Sequence, residues 1–161
     1  MKPIVNIADV ELQPRPPQLL PKGAAAQRYD ARMGQIAPRL GARKLGYNLT
    51  AIPPGKRAFP FHNHHSVEEM FYVIEGSGEV RIGAQTFPIR PGDIIACPPG
   101  DKAHAHQIVN TGQSEMKFLA VSTKDPLDAC EYPDTGKIAV QGDGVRYVGY
   151  EKDQANYWEG E

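Results

Sequence analysis

Cysteine is scarce in this chain of 161 residues, which contains only Cys97 and Cys130. Two cysteines at this length do not make a disulfide framework, and we expect Cys97, which ends an apolar segment, to be a buried free thiol. The chain also has no apolar run near the roughly 20 residues that cross a bilayer, and its start lacks the apolar region of a signal peptide. We therefore expect a cytoplasmic protein without a membrane partner.

A large excess of either charge is also missing. The sequence contains 18 lysine and arginine residues against 19 aspartate and glutamate residues, for a formal net charge of -1. The basic residues are scattered along the chain instead of forming one stripe, so we do not expect nucleic acid as a partner. The length predicts a single domain, because two domains would each be unusually small.

Glycine and proline, by contrast, are plentiful, with 16 and 15 residues. They separate short segments rich in valine, isoleucine, phenylalanine and tyrosine, a pattern typical of all-β proteins. Strands are predicted over residues 45–52, 57–64, 69–75, 79–82, 86–89, 94–97, 105–110 and 115–122. Turns are expected at Gly76-Ser77-Gly78 and at Gly83. Many short strands at this spacing predict a sandwich or a barrel.

The two ends of the chain are less regular than its centre. In the N-terminal extension, residues 1–44, we expect an edge strand over residues 4–12 and no long helix over residues 24–33. The C-terminal extension, residues 123–161, is polar and rich in loop-forming residues, and a hairpin is predicted from residues 137–140 and 145–150. The barrel itself is expected over residues 45–122.

Four residues have the types and the spacing of metal ligands. His62 and His64 are separated by one residue, and alternate side chains of a strand point to the same side, so both imidazoles can reach one ion. Glu69 and the later His106 would complete a set of three histidines and one carboxylate. Nitrogen and oxygen ligands of this kind suit one divalent transition metal ion, whether Mn, Fe, Co, Ni or Zn.

The spacing of these residues resembles the first sequence motif of the cupin superfamily. Six residues separate Gly55 from His62, four separate His64 from Glu69, and six separate Glu69 from Gly76. The one departure from the motif is an extra residue between Gly55 and His62. The resemblance implies a small single-domain cupin, whose fold is a double-stranded β-helix or jelly-roll barrel, here with irregular N- and C-terminal extensions.

A second cupin-like motif follows along the chain. Five residues separate Gly92 from Pro98-Pro99-Gly100, and three separate His106 from Asn110. Five residues lie between Gly100 and His106 where the family has two, so His104 competes with His106 for the last ligand position. We favour His106, because it alone keeps the family's spacing to Asn110.

Four protein ligands leave open positions on an ion that prefers five or six, and such an ion can polarise a substrate oxygen. Proton transfer then needs an acid or a base nearby. His104 and Tyr72 are the candidates for this catalytic role, although Tyr72 has the opposite strand parity to Glu69.

The family resemblance implies several functions without choosing among them. Cupins with this ligand set include sugar-phosphate isomerases, epimerase-like proteins, dioxygenases and proteins without a known reaction. Our first hypothesis is a metal-dependent enzyme acting on a small-molecule substrate, with sugar-phosphate isomerisation as the example. An iron-dependent dioxygenase and a non-catalytic small-molecule-binding cupin are the alternatives. Cupin barrels commonly pair, so we also expect a homodimer.

Overall fold

The computed structural model describes residues 3–161, and nearly all of its regular structure is β-strand. The thirteen strands of these residues, β1 to β13, are Gln13–Pro14, Arg32–Gln35, Leu45–Ile52, Asn63–His64, Glu69–Glu75, Gly78–Ile82, Gln85–Ile89, Ile94–Cys97, His106–Val109, Met116–Thr123, Leu127–Tyr132, Lys137–Gly142 and Val145–Tyr150. A short α-helix, α1, is Ala24–Arg28, and 3₁₀ turns occupy Ile7–Asp9, Pro17–Leu19, Ala37–Leu40, Lys102–His104 and Glu151–Asp153. Within residues 3–161, no helix has the length and apolar composition that a membrane crossing requires.

The strands form three sheets in which neighbouring strands pair antiparallel. The largest sheet has the order β1-β2-β3-β10-β5-β8, the second has β13-β12-β11-β4, and the third has β7-β6-β9. Neighbouring strands are often distant in the chain, as where β10 pairs with β3 along its whole length. The second sheet joins the C-terminal extension to β4, which consists of Asn63 and the candidate ligand His64.

The main core is built from the six-stranded and three-stranded sheets. In β10, Met116, Phe118 and Ala120 are buried at alternate positions, as the two-residue period of a strand requires. Val73 of β5 and Val80 of β6 pack in the same cluster. These side chains fill the interior of the barrel beneath the candidate ligands.

The turn predicted between β5 and β6 is present. Gly76 has a φ of +77°, and a Cβ atom at this position would lie 2.6 Å from the Cα atom of Met116. Glycine is therefore required both by the left-handed backbone and by the close approach of the neighbouring strand. The other predicted turn, at Gly83, joins β6 to β7.

Two of the predicted strands are wrong. Residues 4–12 contain a 3₁₀ turn instead, because the side chain of Asn6 accepts a hydrogen bond from the N–H of Ala8 at 2.9 Å and closes the turn. Residues 57–64 are strand only at Asn63–His64, since Pro60 has no N–H to donate to a ladder. Strand β11 was not predicted, whereas β12 and β13 occupy the segments of the predicted hairpin.

Candidate metal centre

Strands β4, β5 and β9, with the residue that precedes β4, bring the four candidate ligands together. His62 and His106 form a β-bridge in which the N–H of each donates to the carbonyl oxygen of the other, at 3.2 and 2.8 Å. The side chain of Asn63, between His62 and His64, points away from the candidate ligands, and its amide donates to the carbonyl oxygen of Gly100 at 2.8 Å. The imidazoles of His62 and His64 therefore share a side of the chain, as their alternate positions predicted.

The carboxylate of Glu69 lies at the centre of the cluster. Its Oε2 atom is 2.9 Å from Nε2 of His106, 3.4 Å from Nε2 of His64 and 3.8 Å from Nε2 of His62. The His106 ring is buried, whereas the other three side chains keep a small exposed fraction. His62, Glu69 and His106 thus place ligand atoms within 4.8 Å of one another, and His64 joins them through its contact with Glu69. His64 also has ligand atoms within 4.8 Å of Asp128 and Cys130.

The far nitrogens of two rings face backbone carbonyl groups. Nδ1 of His62 lies 2.9 Å from the carbonyl oxygen of Pro60, and Nδ1 of His106 lies 3.4 Å from that of His104. A carbonyl oxygen can only accept a hydrogen bond, so Nδ1 carries the proton in both contacts. For His62, the neutral ring then has its lone pair on Nε2, which is the tautomer that a metal ligand requires. Nε2 of His106 is instead engaged with Oε2 of Glu69 at 2.9 Å, a contact that a bound metal ion would replace.

The His64 ring is held by two residues of β11. Its Nδ1 lies 2.5 Å from Oδ2 of Asp128 and 3.2 Å from Sγ of Cys130. The thiol of Cys130 also donates to Oδ2 of Asp128, while Oδ1 of Asp128 accepts from the N–H of Ser66 at 3.0 Å. A carboxylate placed behind a histidine in this way fixes the direction of its Nε2 atom. With this contact, all three histidines fit a site for a divalent metal ion.

Neither Asp128 nor Cys130 was found by the sequence reasoning. Asp128 lies 64 positions from its histidine along the chain, so no local motif connects the two residues. The one available signal was their alternation in a segment that is now seen to be a strand, which puts both on one face.

Interactions within the cluster shift the pKa values of His62 and His64, the two histidines of the first motif, in opposite directions. Burial and the neighbouring His106 lower the pKa of His62 to about 4, so that its ring is neutral at pH 7. Burial would also lower the pKa of His64, but contacts with Cys130 and two carboxylates outweigh it and raise this pKa to about 11. Burial opposes the charge of Glu69, yet hydrogen bonds with His106 and His64 hold its pKa well below the usual range. A metal ion binding here must therefore displace a proton from His64.

The two candidates for proton transfer lie outside this cluster. The His104 ring is exposed and contacts Oδ1 of Asp101 at 3.1 Å. Tyr72 is exposed on the outer face of β5, as its strand parity indicates. The structure brings neither ring to the four candidate ligands, and their catalytic roles stay predictions. His65 also points away, since its ring is exposed and lies 3.4 Å from Oε1 of Glu131.

Both cysteines are free and buried, as was expected for Cys97. Burial and the nearby Glu69 raise the pKa of the Cys97 thiol to about 12. Burial likewise raises the pKa of Cys130. Both thiols are therefore protonated at neutral pH in the metal-free chain, which makes them poor nucleophiles. Cys130 still lies with His64 and Asp128 in a group that could hold a metal ion, since a coordinating thiol loses its proton.

A cavity of about 620 Å³ opens beside the cluster. His64 and Glu69 reach it from the candidate centre, and Asp128 lines it from β11. Lys124 is the one lysine or arginine among its lining residues, and Ser122 adds a hydroxyl group. A small molecule in this cavity would contact the candidate ligands directly.

Comparison with known proteins places the barrel in a family. The family described as Cupin domain matches residues 48–122, which include all four candidate ligands. An oxalate-binding protein of Thermotoga maritima is 33% identical over 70 residues, which cover 44% of this chain and 54% of that protein. The chain spans about half the length of the curated relatives it matches first.

Solved structures agree with this match. A protein described as a candidate sugar phosphate isomerase from Acidithiobacillus ferrooxidans is 28% identical, with a TM-score of 0.73 over 79% of this chain and 80% of that one. A sugar phosphate isomerase of the cupin superfamily from Silicibacter pomeroyi covers 96% of each chain with a TM-score of 0.81, and at 24% identity it shows the fold alone. Residues 48–122 of this chain therefore form a cupin domain, and the all-β architecture together with these structures shows the double-stranded β-helix fold.

Proposed function

We propose that this chain binds one divalent transition metal ion and uses it to act on a small polyhydroxylated or carbonyl substrate. The proposed ligands are His62, His64, Glu69 and His106. The observation that carries the proposal is the orientation of the three rings, each with Nδ1 held by an oxygen atom and Nε2 turned toward Glu69. Such an arrangement is expected for metal ligands and is not needed for packing alone.

Isomerisation of a sugar phosphate is the first candidate reaction. It is supported by the similarity to the Acidithiobacillus protein, which is 28% identical and described as a candidate for that activity. A divalent ion held by these ligands would supply polarisation of a substrate oxygen. In this chain, Glu69 and the histidines would hold the ion, and Ser122 and Lys124 would contact the substrate at the cavity wall. Phe71, packed 5.7 Å from the His106 ring, would exclude water on the inner side.

Metal content gives the first test of this proposal. We expect about one equivalent of metal in the purified full chain, and none after the double substitution His62→Ala with His64→Ala. His65→Ala is the matched control, because its ring points away from the cluster. Elemental analysis of the three proteins provides the measurement. An equal loss of metal in the double variant and in His65→Ala, relative to the unsubstituted chain, would contradict the assigned ligands.

Activity gives the second test. An isomerase should interconvert aldose and ketose phosphates without oxygen when the chain is loaded with Mn, Co or Zn. Oxygen uptake with Fe(II) and small organic acids would instead favour the iron-dependent dioxygenase. The similarity to an oxalate-binding protein favours a binding role as the second candidate. Tight binding of oxalate that leaves it unchanged, together with inactivity toward sugar phosphates, would support that role.

A further inference from the structure

A second cavity, of about 570 Å³, lies on the outer face of the three-stranded sheet. Strand side chains alternate between faces, and Val80 and Ile108 point into the core. Their neighbours Arg81 and Gln107 therefore point outward, and both line this cavity. The candidate ligand His106 precedes Gln107 and belongs to the opposite face of β9, so the cavity is separate from the metal centre.

The segment that follows α1 closes the cavity from above the sheet. The carbonyl oxygen of Arg28 accepts a hydrogen bond from the N–H of Arg57 at 3.0 Å, and the N–H of Asp30 donates to the carbonyl oxygen of Arg57 at 3.1 Å. Arg57 in turn bridges to Val109 of β9. These backbone contacts hold the side chains of Arg28 and Arg57 at the same cavity as Arg81.

The three guanidinium groups differ in their partners. Nη1 of Arg81 lies 2.9 and 3.0 Å from the two carboxylate oxygens of Asp134, and its guanidinium group lies 3.6 Å above the centre of the Phe61 ring. Nε of Arg57 is buried and has no hydrogen-bond partner among the described residues. Over residues 3–161, neither Arg28 nor Arg57 has a carboxylate oxygen within 4.0 Å.

The charge of the cavity wall favours an anion. Asp134 is already paired with Arg81, so Arg28 and Arg57 share the cavity with one further carboxylate, that of Glu79. The wall therefore carries a net positive charge. A buried guanidinium N–H without an acceptor is unfavourable, and an oxyanion would supply the missing acceptor.

We propose that this cavity binds a phosphate group, either free or on a small phosphorylated metabolite. Guanidinium groups present N–H donors in a planar fork that matches two phosphate oxygens, and they keep their charge at every physiological pH. Arg28 and Arg57 are the primary contacts, with Nε of Arg57 among the donors. Thr86 also lines the cavity and carries a hydroxyl group that can serve as a neutral donor.

Titration calorimetry of the metal-stripped full chain tests the proposal, with inorganic phosphate and pyrophosphate as separate probes at constant ionic strength. We expect saturable binding at one site per chain. Arg28→Ala and Arg57→Ala should each weaken it about tenfold or more, as expected when a charge-assisted contact is lost. Arg57→Lys keeps the charge but removes the Nε donor, so an intermediate affinity is expected. Arg90→Ala is the matched control, because Arg90 is exposed and does not line this cavity.

Several outcomes would overturn this assignment. They are an absence of saturable binding, affinities unchanged by both alanine substitutions, and an equal loss in Arg90→Ala. Binding that requires added metal and disappears with His62→Ala would place the phosphate at the metal centre instead. Arg28 is exposed at the end of α1, so its variant gives a result even if Arg57→Ala does not fold. Because the probe is bound by metal-free protein, the outcome is independent of the proposed enzyme activity.

Discussion

Asp128 shows how one side chain outside the predicted ligand set shapes the centre. Its carboxylate is buried, yet hydrogen bonds with His64 and the N–H of Ser66 outweigh the cost of burial and lower its pKa to about 2. The ionised group sits 2.5 Å behind Nδ1 of His64 and is itself held by Cys130. His64 therefore has little freedom to turn its Nε2 atom away from Glu69.

Replacement of Asp128 by asparagine should weaken metal binding. The asparagine amide is uncharged, so it cannot balance the positive charge of His64 and holds the His64 ring less firmly. Loss of such a supporting partner typically costs about 10- to 100-fold in metal affinity. Competition with a chromogenic chelator measures the change. Asp125→Asn is the control, because Asp125 lines the same cavity without contacting a candidate ligand. An equal loss in both variants would argue against a specific role for Asp128.

The contacts of His64 with Cys130, Glu69 and Asp128 together predict how the stability of the metal-free chain depends on pH. The folded protein raises the pKa of His64 from 6.5 to about 11, so this group stabilises the fold fully below pH 6.5. As the pH rises toward 11, the folded state alone still holds the proton, and the free energy of unfolding falls. Urea unfolding at pH 6.5 and near pH 9.5 should show this decrease. In Asp128→Asn the decrease should be smaller, and an identical decrease would show that Asp128 does not contribute to the raised pKa of His64.

The four candidate ligands could be named from sequence because their spacing is local or matches a family motif. His62, His64 and Glu69 lie within eight residues of one another. Placing Asp128 required the pairing of β4 with β11, in which Cys130 lies opposite His64. A single sequence does not encode such a long-range register in any visible spacing.

At the scale of strands, regular alternation decided what was predictable. The bounds of β3, β5 and β8 agree with the predicted ranges, because each combines β-forming residues with clear turn residues at its ends. Strand β11 was missed because its buried face carries Asp128 and Cys130, and an aspartate reads as a solvent-exposed residue. The opposite error is the strand predicted at residues 4–12. There the local hydrogen bond of Asn6 closes a 3₁₀ turn instead.

Strand β10 is the structural centre of the barrel, since it pairs with both β3 and β5. Phe118 of this strand is 1% exposed and packs edge-on against Phe71 at 5.6 Å. Phe118→Ala should lower the free energy of unfolding by about 3–5 kcal/mol, because it leaves a cavity that the rigid sheets cannot fill. Urea unfolding at fixed pH measures this.

The matched control for this core substitution is Phe87→Ala. Phe87 is 42% exposed on β7, so its removal should cost little. A destabilisation of similar size in the two variants would show that the interior is not packed around β10 in the way described.

In the whole molecule, the three sheets have different structural roles. Two of them enclose the core, and the third joins the C-terminal extension to the ligand-bearing segment. Strand β11 contributes Asp128 and Cys130 beside His64, and Tyr132 stacked at 6.0 Å on the His62 ring. The segment that resembled a polar tail in the sequence is therefore part of the candidate centre.

We expect the intact chain to form a homodimer, as its resemblance to other cupins implies. Residues 4–7 do not supply the edge strand first expected to support pairing, so the expectation rests on the family alone. Sedimentation velocity over micromolar concentrations should give a species of twice the chain mass of 17.7 kDa. A single species at the chain mass throughout that range would contradict the dimer.

The attachment of β4 to β11 has a practical consequence for recombinant production. A purification tag placed after β13 would follow the sheet that contains His64, so a steric clash there would disturb the contacts of β11 with the His64 ring. The first strand of the chain, β1, instead borders a different sheet. Fusions at the amino terminus are accordingly the better material for measuring metal stoichiometry.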